Sequence, residues 1–143
     1  MTSPEPRRRN RTRQRRRLLE LLRASESHPT AADLHQALLT EFPRISLGTV
    51  YRNLDVLASE GQVEVVPSAG GPLRYDGNPH PHHHMTCERC GRISDVELEV
   101  PAHLAGALQR EHAFDVRRVR IDFTGLCRVC RGTVDDPVID TRP

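Results

Sequence analysis

The chain has no tryptophan and no lysine, and aromatic residues make up only 3% of it. With two Tyr and three Phe in 143 residues, no part of the chain can rest on a large aromatic core. Two small domains of this size would each have a thin core, so a metal staple has a thermodynamic use. A long apolar run is also missing. Leu18-Leu19-Glu20-Leu21-Leu22-Arg23 is too short and too charged for a membrane span or for a secretory or twin-arginine leader, so a cytoplasmic protein without membrane partners is expected. Finally, no cysteine is left over: Cys87/Cys90 and Cys127/Cys130 form two C-x-x-C pairs.

Two intervening residues let a tight knuckle aim both sulfurs at one ion, and two knuckles complete a tetrahedral four-thiolate zinc shell. A disulfide reading suits an oxidising compartment, which nothing here indicates. A redox C-x-x-C needs one pair beside a thioredoxin-like βαβ pattern, and none is visible. The long interval between Cys90 and Cys127 implies a folded segment held between the knuckles. Directly ahead of the first knuckle stand His82 and His84. Borderline nitrogen donors next to soft sulfur donors point to two metal sites, not one.

Charged residues reach 28% with a net charge of +2, but the basic charge is uneven: Arg7 to Arg17 holds eight arginines and no acid. Such a run is a solvated tail or a phosphate-seeking arm ahead of a DNA-binding module. The segments C-terminal to it favour the arm. Leu18, Leu19, Leu21 and Leu22 give a helical rhythm from Thr12 to about Ser25. His28-Pro29-Thr30 breaks it. Thr30 and Asp33 resemble a capping box for a second helix carrying Leu34, Leu38, Leu39 and Phe42, ended by Pro43. Ser46 caps a third helix that stops at Gly61, with Leu47, Val50, Leu54 and Leu57 as its buried stripe. That stripe leaves Thr49, Tyr51, Arg52 and Asn53, all groove-reading types, open to solvent. Residues Gln62–Val66 and Leu73–Asp76 then read as a hairpin, which completes a winged helix-turn-helix.

Asp76 to Pro81 is a hinge by composition. Beyond it, Met85–Cys87 and Arg92–Leu98 are expected strands, Pro101 to His112 a helix on Leu104, Ala105 and Leu108, and Asp115–Phe123 an alternating strand. His83 should point away from the face shared by His82 and His84. It and His80 are read as bystanders, and His35, His103 and His112 as solvent-facing.

In order and spacing, these pieces resemble the ferric uptake regulator (Fur) family of bacterial metal-sensing repressors over nearly the whole chain. The matching segments are Thr12-Arg13-Gln14-Arg15, His28-Pro29-Thr30-Ala31, Gly48-Thr49-Val50-Tyr51-Arg52-Asn53-Leu54, Arg74-Tyr75-Asp76, His82 to Gly91, and Gly125 to Cys130. The resemblance implies an α+β chain: an N-terminal winged helix-turn-helix, then a small α/β dimerisation domain with the four-cysteine zinc site. Its implied layout is 1–76 for DNA binding (1–10 an Arg-rich flexible arm), 77–84 as hinge, 85–131 for dimerisation and metal, and 132–143 as a flexible tail. It further implies a regulatory site of His28, Asp76, His82, His84 and Asp95. That nitrogen and oxygen shell suits Fe2+ or Mn2+, with one zinc and one regulatory ion per chain.

Three departures bear on the branch. Arg117 to Arg120 contain no His where many iron-uptake members supply a further ligand, so two sites per chain are expected. Asp95 resembles the peroxide-sensing branch, in which a histidine ligand is oxidised; Arg52 resembles the iron-uptake branch. The expected activity is metal-dependent repression through operator DNA by a homodimer. Arg52, Asn53 and Thr49 would bond base edges or phosphates, Tyr51 would pack on a thymine methyl, and Arg15 would meet phosphates or the minor groove. The alternatives are a peroxide-sensing repressor, a zinc-uptake repressor, a small metal-dependent hydrolase and a metal buffer. No enzymatic role and no small-molecule substrate is expected, since a five-ligand shell leaves no open position for catalysis.

Overall fold

A computed structural model of the chain describes residues 6–68 and 70–132. Three helices come first: α1 (Pro6–Arg23), α2 (Ala31–Leu39) and α3 (Leu47–Ser59). The first begins at Pro6 and not at Thr12, so residues 6–10, expected in a flexible arm, are helical. Residues 1–5 and the expected tail from 133 onward lie outside the described residues. The Thr30–Asp33 capping box forms in full, with Asp33 N–H donating to Thr30 Oγ1 and Thr30 N–H to Asp33 Oδ2. The helix it starts ends at Leu39, short of Pro43, and Phe42 reaches the core from the turn beyond. Ser46 caps α3 by accepting from Thr49 N–H.

The stripe that α3 buries is Val50, Asn53, Leu54 and Leu57, an i, i+3, i+4, i+7 set. Leu47 was expected in it but stands at the first helical turn and is 38% exposed. Asn53 was expected to face solvent, yet it completes the stripe and is buried. With Leu18, Leu22, Ala31, Leu34 and Leu38, this stripe forms one apolar core closed by Val63 and Tyr75. The two short strands β1 (Glu64–Val66) and β2 (Arg74–Asp76) pair antiparallel as the wing, with Glu64 opposite Asp76.

The second half has a three-stranded sheet in the order β4-β3-β5, formed by β3 (His83–Cys87), β4 (Ile93–Val96) and β5 (Asp122–Gly125). The central β3 runs antiparallel to β4 and parallel to β5. The parallel crossover is carried by α4 (Ala102–His112), and α5 (Arg128–Arg131) follows the sheet. The long strand expected over Asp115–Phe123 is absent, because pairing begins only at Ile121, whose carbonyl accepts from His84 N–H. The alternation runs only from Arg118 to Phe123, and residues 115–120 join no strand ladder among the described residues, although the Arg118 and Arg120 side chains reach Glu64 of β1. Packing here is thin. None of α4, β5 or α5 buries a residue, and Leu104, Leu108, Phe114, Leu126 and Val129 are all exposed.

Candidate metal centres and nucleic-acid face

The wing hairpin brings the two halves together at one point. On its outer side, Tyr75 N–H donates to Pro29 O, and Thr30 bridges Arg74. This lays the α1–α2 loop beside β2 and sets His28 next to Asp76. His28 takes a left-handed backbone, with φ 50°. That conformation is costly for a residue with a Cβ, and it is held by an Arg74 side-chain bond to the His28 carbonyl. On the other side of the site, His82 and His84 share one face of the β3 segment. Asp95 joins them because β4 pairs it directly with His84.

All five expected donors of the regulatory set meet: one atom each from His28, Asp76, His82, His84 and Asp95 lies within 4.8 Å of every other. His82 Nε2 is 2.6 Å from Asp76 Oδ2, His84 Nε2 is 3.1 Å from the same oxygen, and His28 Nε2 is 2.7 Å from Asp95 Oδ1. Four of the residues are buried, and Asp95 stands at the rim.

Around this centre, each carboxylate has one oxygen already engaged. Asn78 N–H donates to Asp76 Oδ1 at 2.7 Å, and Asn78 Nδ2 donates to Asp95 Oδ2 at 3.1 Å, which leaves the other oxygen of each aimed inward. His82 Nδ1 donates to the His80 carbonyl at 2.6 Å, so the lone pair of its neutral ring sits on Nε2. That lone pair faces the Asp76 carboxylate, an arrangement that repels unless a proton or a cation lies between. His28 Nδ1 is buried without a hydrogen-bond partner, while its Nε2 lies against the two carboxylates, 2.7 Å from Asp95 Oδ1 and 3.6 Å from Asp76 Oδ2. Imidazole and carboxylate bonds of about 2.1 Å to a divalent ion place adjacent donors about 3 Å apart, close to the 3.0 Å between His82 Nε2 and His84 Nε2. The residues therefore fit a divalent ion with nitrogen and oxygen ligands.

Protonation follows from the same contacts. Burial pulls the His28 pKa down, but the Asp76 and Asp95 carboxylates outweigh it and hold it above 6.5. His82 is raised likewise, against burial, by the His80 carbonyl and by Asp76. Burial would lift Asp76, yet hydrogen bonds from His28, His84 and Asn78 hold it far below the usual carboxylate range.

The four cysteines form the second cluster. Their sulfurs all lie within 4.8 Å of one another, with Cys90 Sγ 3.8 Å from Cys127 Sγ. A tetrahedron with Zn–S bonds of about 2.3 Å has edges of about 3.8 Å. The Cys127 and Cys90 amides bring the Cys87 thiol down to about 6. Burial and the neighbouring sulfurs push Cys130 up to about 12. Four sulfurs this close cannot all ionise unless a cation takes the place of their protons.

His83 turns to the opposite face, as its parity requires, but it is no bystander. Its Nδ1 accepts from Ile121 N–H and its Nε2 donates to Leu98 O, tying both flanks of the sheet to β3. The His80 side chain is exposed, and the residue acts through its backbone: its carbonyl accepts from His82 Nδ1 and its N–H donates to Asn78 Oδ1. His35 is half-buried, with Nε2 donating to Ile45 O, where a solvent-facing ring was expected; His103 and His112 are exposed. Sequence reasoning missed Asn78, although Asp76-Gly77-Asn78 is the spacing of an Asx turn. The role of the His80 carbonyl has no side-chain signal at all.

A separate cleft is lined by Arg11 and Arg15 of α1 with Thr49, Arg52, Asn53 and Val56 of α3. Arg52 Nη2 donates to Thr49 Oγ1, Arg15 Nε is buried without a partner, and Tyr51 is exposed beside them. Asn53 forms part of the floor and not the rim. The face thus carries several guanidinium groups and no carboxylate along the cleft.

Among known proteins, the peroxide-responsive repressor PerR of Staphylococcus saprophyticus is 38% identical over 120 residues, covering 84% of this chain and 81% of that protein. The crystal structure of the Campylobacter jejuni peroxide stress regulator superposes with a TM-score of 0.75 at 28% identity, covering 85% of this chain and 91% of that one. A zinc uptake regulator in complex with zinc and DNA gives a TM-score of 0.61 at 27% identity, covering 82% and 81%. The family model for the ferric uptake regulator family matches residues 9–124. With a winged helix, a four-cysteine cluster and a five-donor cluster where its halves meet, this chain belongs to the ferric uptake regulator family.

Proposed function

We propose that the protein is a homodimeric, metal-dependent transcriptional repressor whose operator affinity is set by Fe2+ or Mn2+ bound to His28, Asp76, His82, His84 and Asp95. The observation that carries this reading is the origin of those donors. His28 and Asp76 belong to the winged-helix half, and His82, His84 and Asp95 to the other, so an ion shared by all five fixes one half against the other. When bound, the ion supplies the charge that relieves the lone-pair and carboxylate repulsion at the centre. Zinc on Cys87, Cys90, Cys127 and Cys130 holds the 85–131 dimerisation unit, and residues 1–76 bind DNA. The exposed apolar side chains of α4 and of the segment around β5 suit a second copy of the chain. Paired in that way, two α3 helices have to reach major-groove half-sites about 34 to 36 Å apart. Arg52 and Thr49 then meet base edges, Tyr51 a thymine methyl, Arg15 phosphates, and Asn53 the floor of the same cleft.

The test uses full-length, zinc-loaded protein and duplex DNA recovered by selection from a random pool, with Mn2+, anaerobic Fe2+ and Zn2+ compared in parallel. Mn2+ or Fe2+ should tighten binding roughly a hundredfold, equivalent to about 2.7 kcal/mol of coupling. His84→Ala should abolish the gain and keep the zinc. DNA binding that is indifferent to all three ions would overturn the proposal.

Asp95 and the PerR relatives favour a second reading, in which peroxide inactivates the iron-loaded repressor by oxidising a histidine ligand. Peroxide should then add one oxygen to His28 or His82 in the iron form only. Mass spectra without that addition count against it.

A further inference from the structure

We propose that Asp122 orients the His84 ring for the regulatory ion, and that Arg120 and Glu64 tie this orientation to the wing. The inference rests on the metal-switch reading and deepens it by assigning three positioning residues outside the donor set.

His84 turns Nε2 toward the donor cluster, so it can bind an ion only with its proton on Nδ1. His82 meets the same requirement through the His80 carbonyl. His84 has no such carbonyl: its Nδ1 is buried without a hydrogen-bond partner, in a side chain only 1% exposed. The group that faces Nδ1 is the Asp122 carboxylate, whose Oδ1 lies 3.8 Å away. This pairing is built into the sheet, since the β3–β5 register sets His84 beside Asp122. A small ring rotation turns that approach into the bond that fixes the tautomer, the usual support for a ligating imidazole.

Asp122 is itself held from behind. Arg120 Nε donates to Asp122 Oδ2 at 3.2 Å, and the same guanidinium pairs with Glu64, which Arg118 also reaches at 2.8 Å. Glu64 lies on the wing directly opposite Asp76. A chain of ion pairs therefore runs from the neighbour of one ligand, Asp76, to the neighbour of another, His84, and joins the same two halves that the donor cluster joins. These arginines occupy the stretch that carries no histidine for a further metal site. Arg118 is 63% exposed at its side chain, so the clasp is too weak to lock the halves by itself. Its part is to hold the wing near the sheet and the His84 ring in the binding tautomer before the ion arrives.

The test uses full-length, zinc-loaded protein with Mn2+ as probe and no DNA. Two quantities are read: the Mn2+ dissociation constant, and the His84 tautomer in the metal-free protein by nitrogen-correlated NMR of the imidazoles. Asp122→Ala should weaken Mn2+ by roughly 10- to 100-fold, shift His84 away from the Nδ1–H form, and leave zinc content unchanged. Asp122→Asn retains an acceptor oxygen and should fall between wild type and Ala. Glu64→Gln should weaken Mn2+ less, and should add nothing in the Asp122→Ala background. Wild-type Mn2+ affinity or an unchanged His84 tautomer in Asp122→Ala overturns the inference. If that variant loses zinc, Asp122→Asn decides by the same two readouts. Should wild-type protein bind no Mn2+, the metal-switch reading fails, while the tautomer measurement still decides the role of Asp122.

Discussion

His28, Asp76 and His82 carry the shifted titrations of the five-donor cluster. Both histidines are held above their ordinary value of 6.5 by carboxylates, so their protons fill the place a cation would take. An incoming ion displaces those protons, and Mn2+ affinity should rise as pH climbs above 6.5 and level off once both rings are neutral. Stability of the metal-free protein should move the other way. A raised histidine pKa contributes stability that is complete below 6.5 and lost as pH rises through the folded-state values. Asp76 is depressed, so its contribution is present above the usual carboxylate range and lost only in strong acid. Mn2+ titrations and thermal melts from about pH 6 to about pH 8 should show opposite trends, and a pH-independent affinity would mean that the rings carry no displaceable protons. Much at this scale was legible beforehand. The two-residue spacing of His82 and His84 puts them on one face, and the C-x-x-C pairs announce their ligand type. His28 was reached only through family resemblance, because its ring meets the others through a loop whose placement depends on Tyr75 and Arg74. Asn78 offered only the spacing of an Asx turn and the His80 carbonyl no signal at all, since both act on the clustered side chains and not on an ion.

Elements decide how tightly the hinge is seated. Gly77 lies where the chain passes the end of α1, and a Cβ there would come within 2.8 Å of the Leu22 backbone carbon and 2.9 Å of the Arg23 nitrogen. Neither is a flexible side-chain end, so the hinge or the helix has to move. Gly77→Ala should destabilise the protein by about 1–3 kcal/mol and, by displacing Asp76, weaken Mn2+ binding. Melting temperature and Mn2+ titration check it, and an unaffected variant would mean that the close approach is not rigid. Helix caps were readable because they are local: Thr30 and Asp33, or Ser46 and Thr49, need only each other. The faces of α3 were less so. Leu47 and Asn53 exchange their expected environments because the true stripe is rotated slightly from the one drawn through leucines. Only contact with α1 and α2 selects which side of a helix is covered.

The whole molecule is uneven. Its apolar core lies in residues 18–75, whereas the second half leaves Leu104, Leu108, Phe114, Leu126 and Val129 exposed and gathers its cysteines at one end of the sheet. On the proposed reading, zinc and a second copy supply that half with what its own core lacks. Cys87→Ser should release zinc and disperse the dimer in sedimentation velocity, while the helical signal of the N-terminal half persists; an intact zinc-bound dimer would refute the four-thiolate assignment. The missing strand at 115–120 belongs to the same scale. The alternation of Val119, Ile121 and Phe123 expresses a tendency to pair, but a ladder forms only where β3 lies alongside, from Asp122 onward. By itself the sequence determined which side chains can offer metal donors, the capped starts of α2 and α3 and the order of the elements, because these depend on residue type and short spacing. Only the tertiary structure decided that five donors from two halves converge, which oxygen of each carboxylate turns inward, and that Glu64, Arg120 and Asp122 connect the wing to His84. Those contacts join residues far apart in the chain, and their geometry exists only once the wing has docked against the sheet.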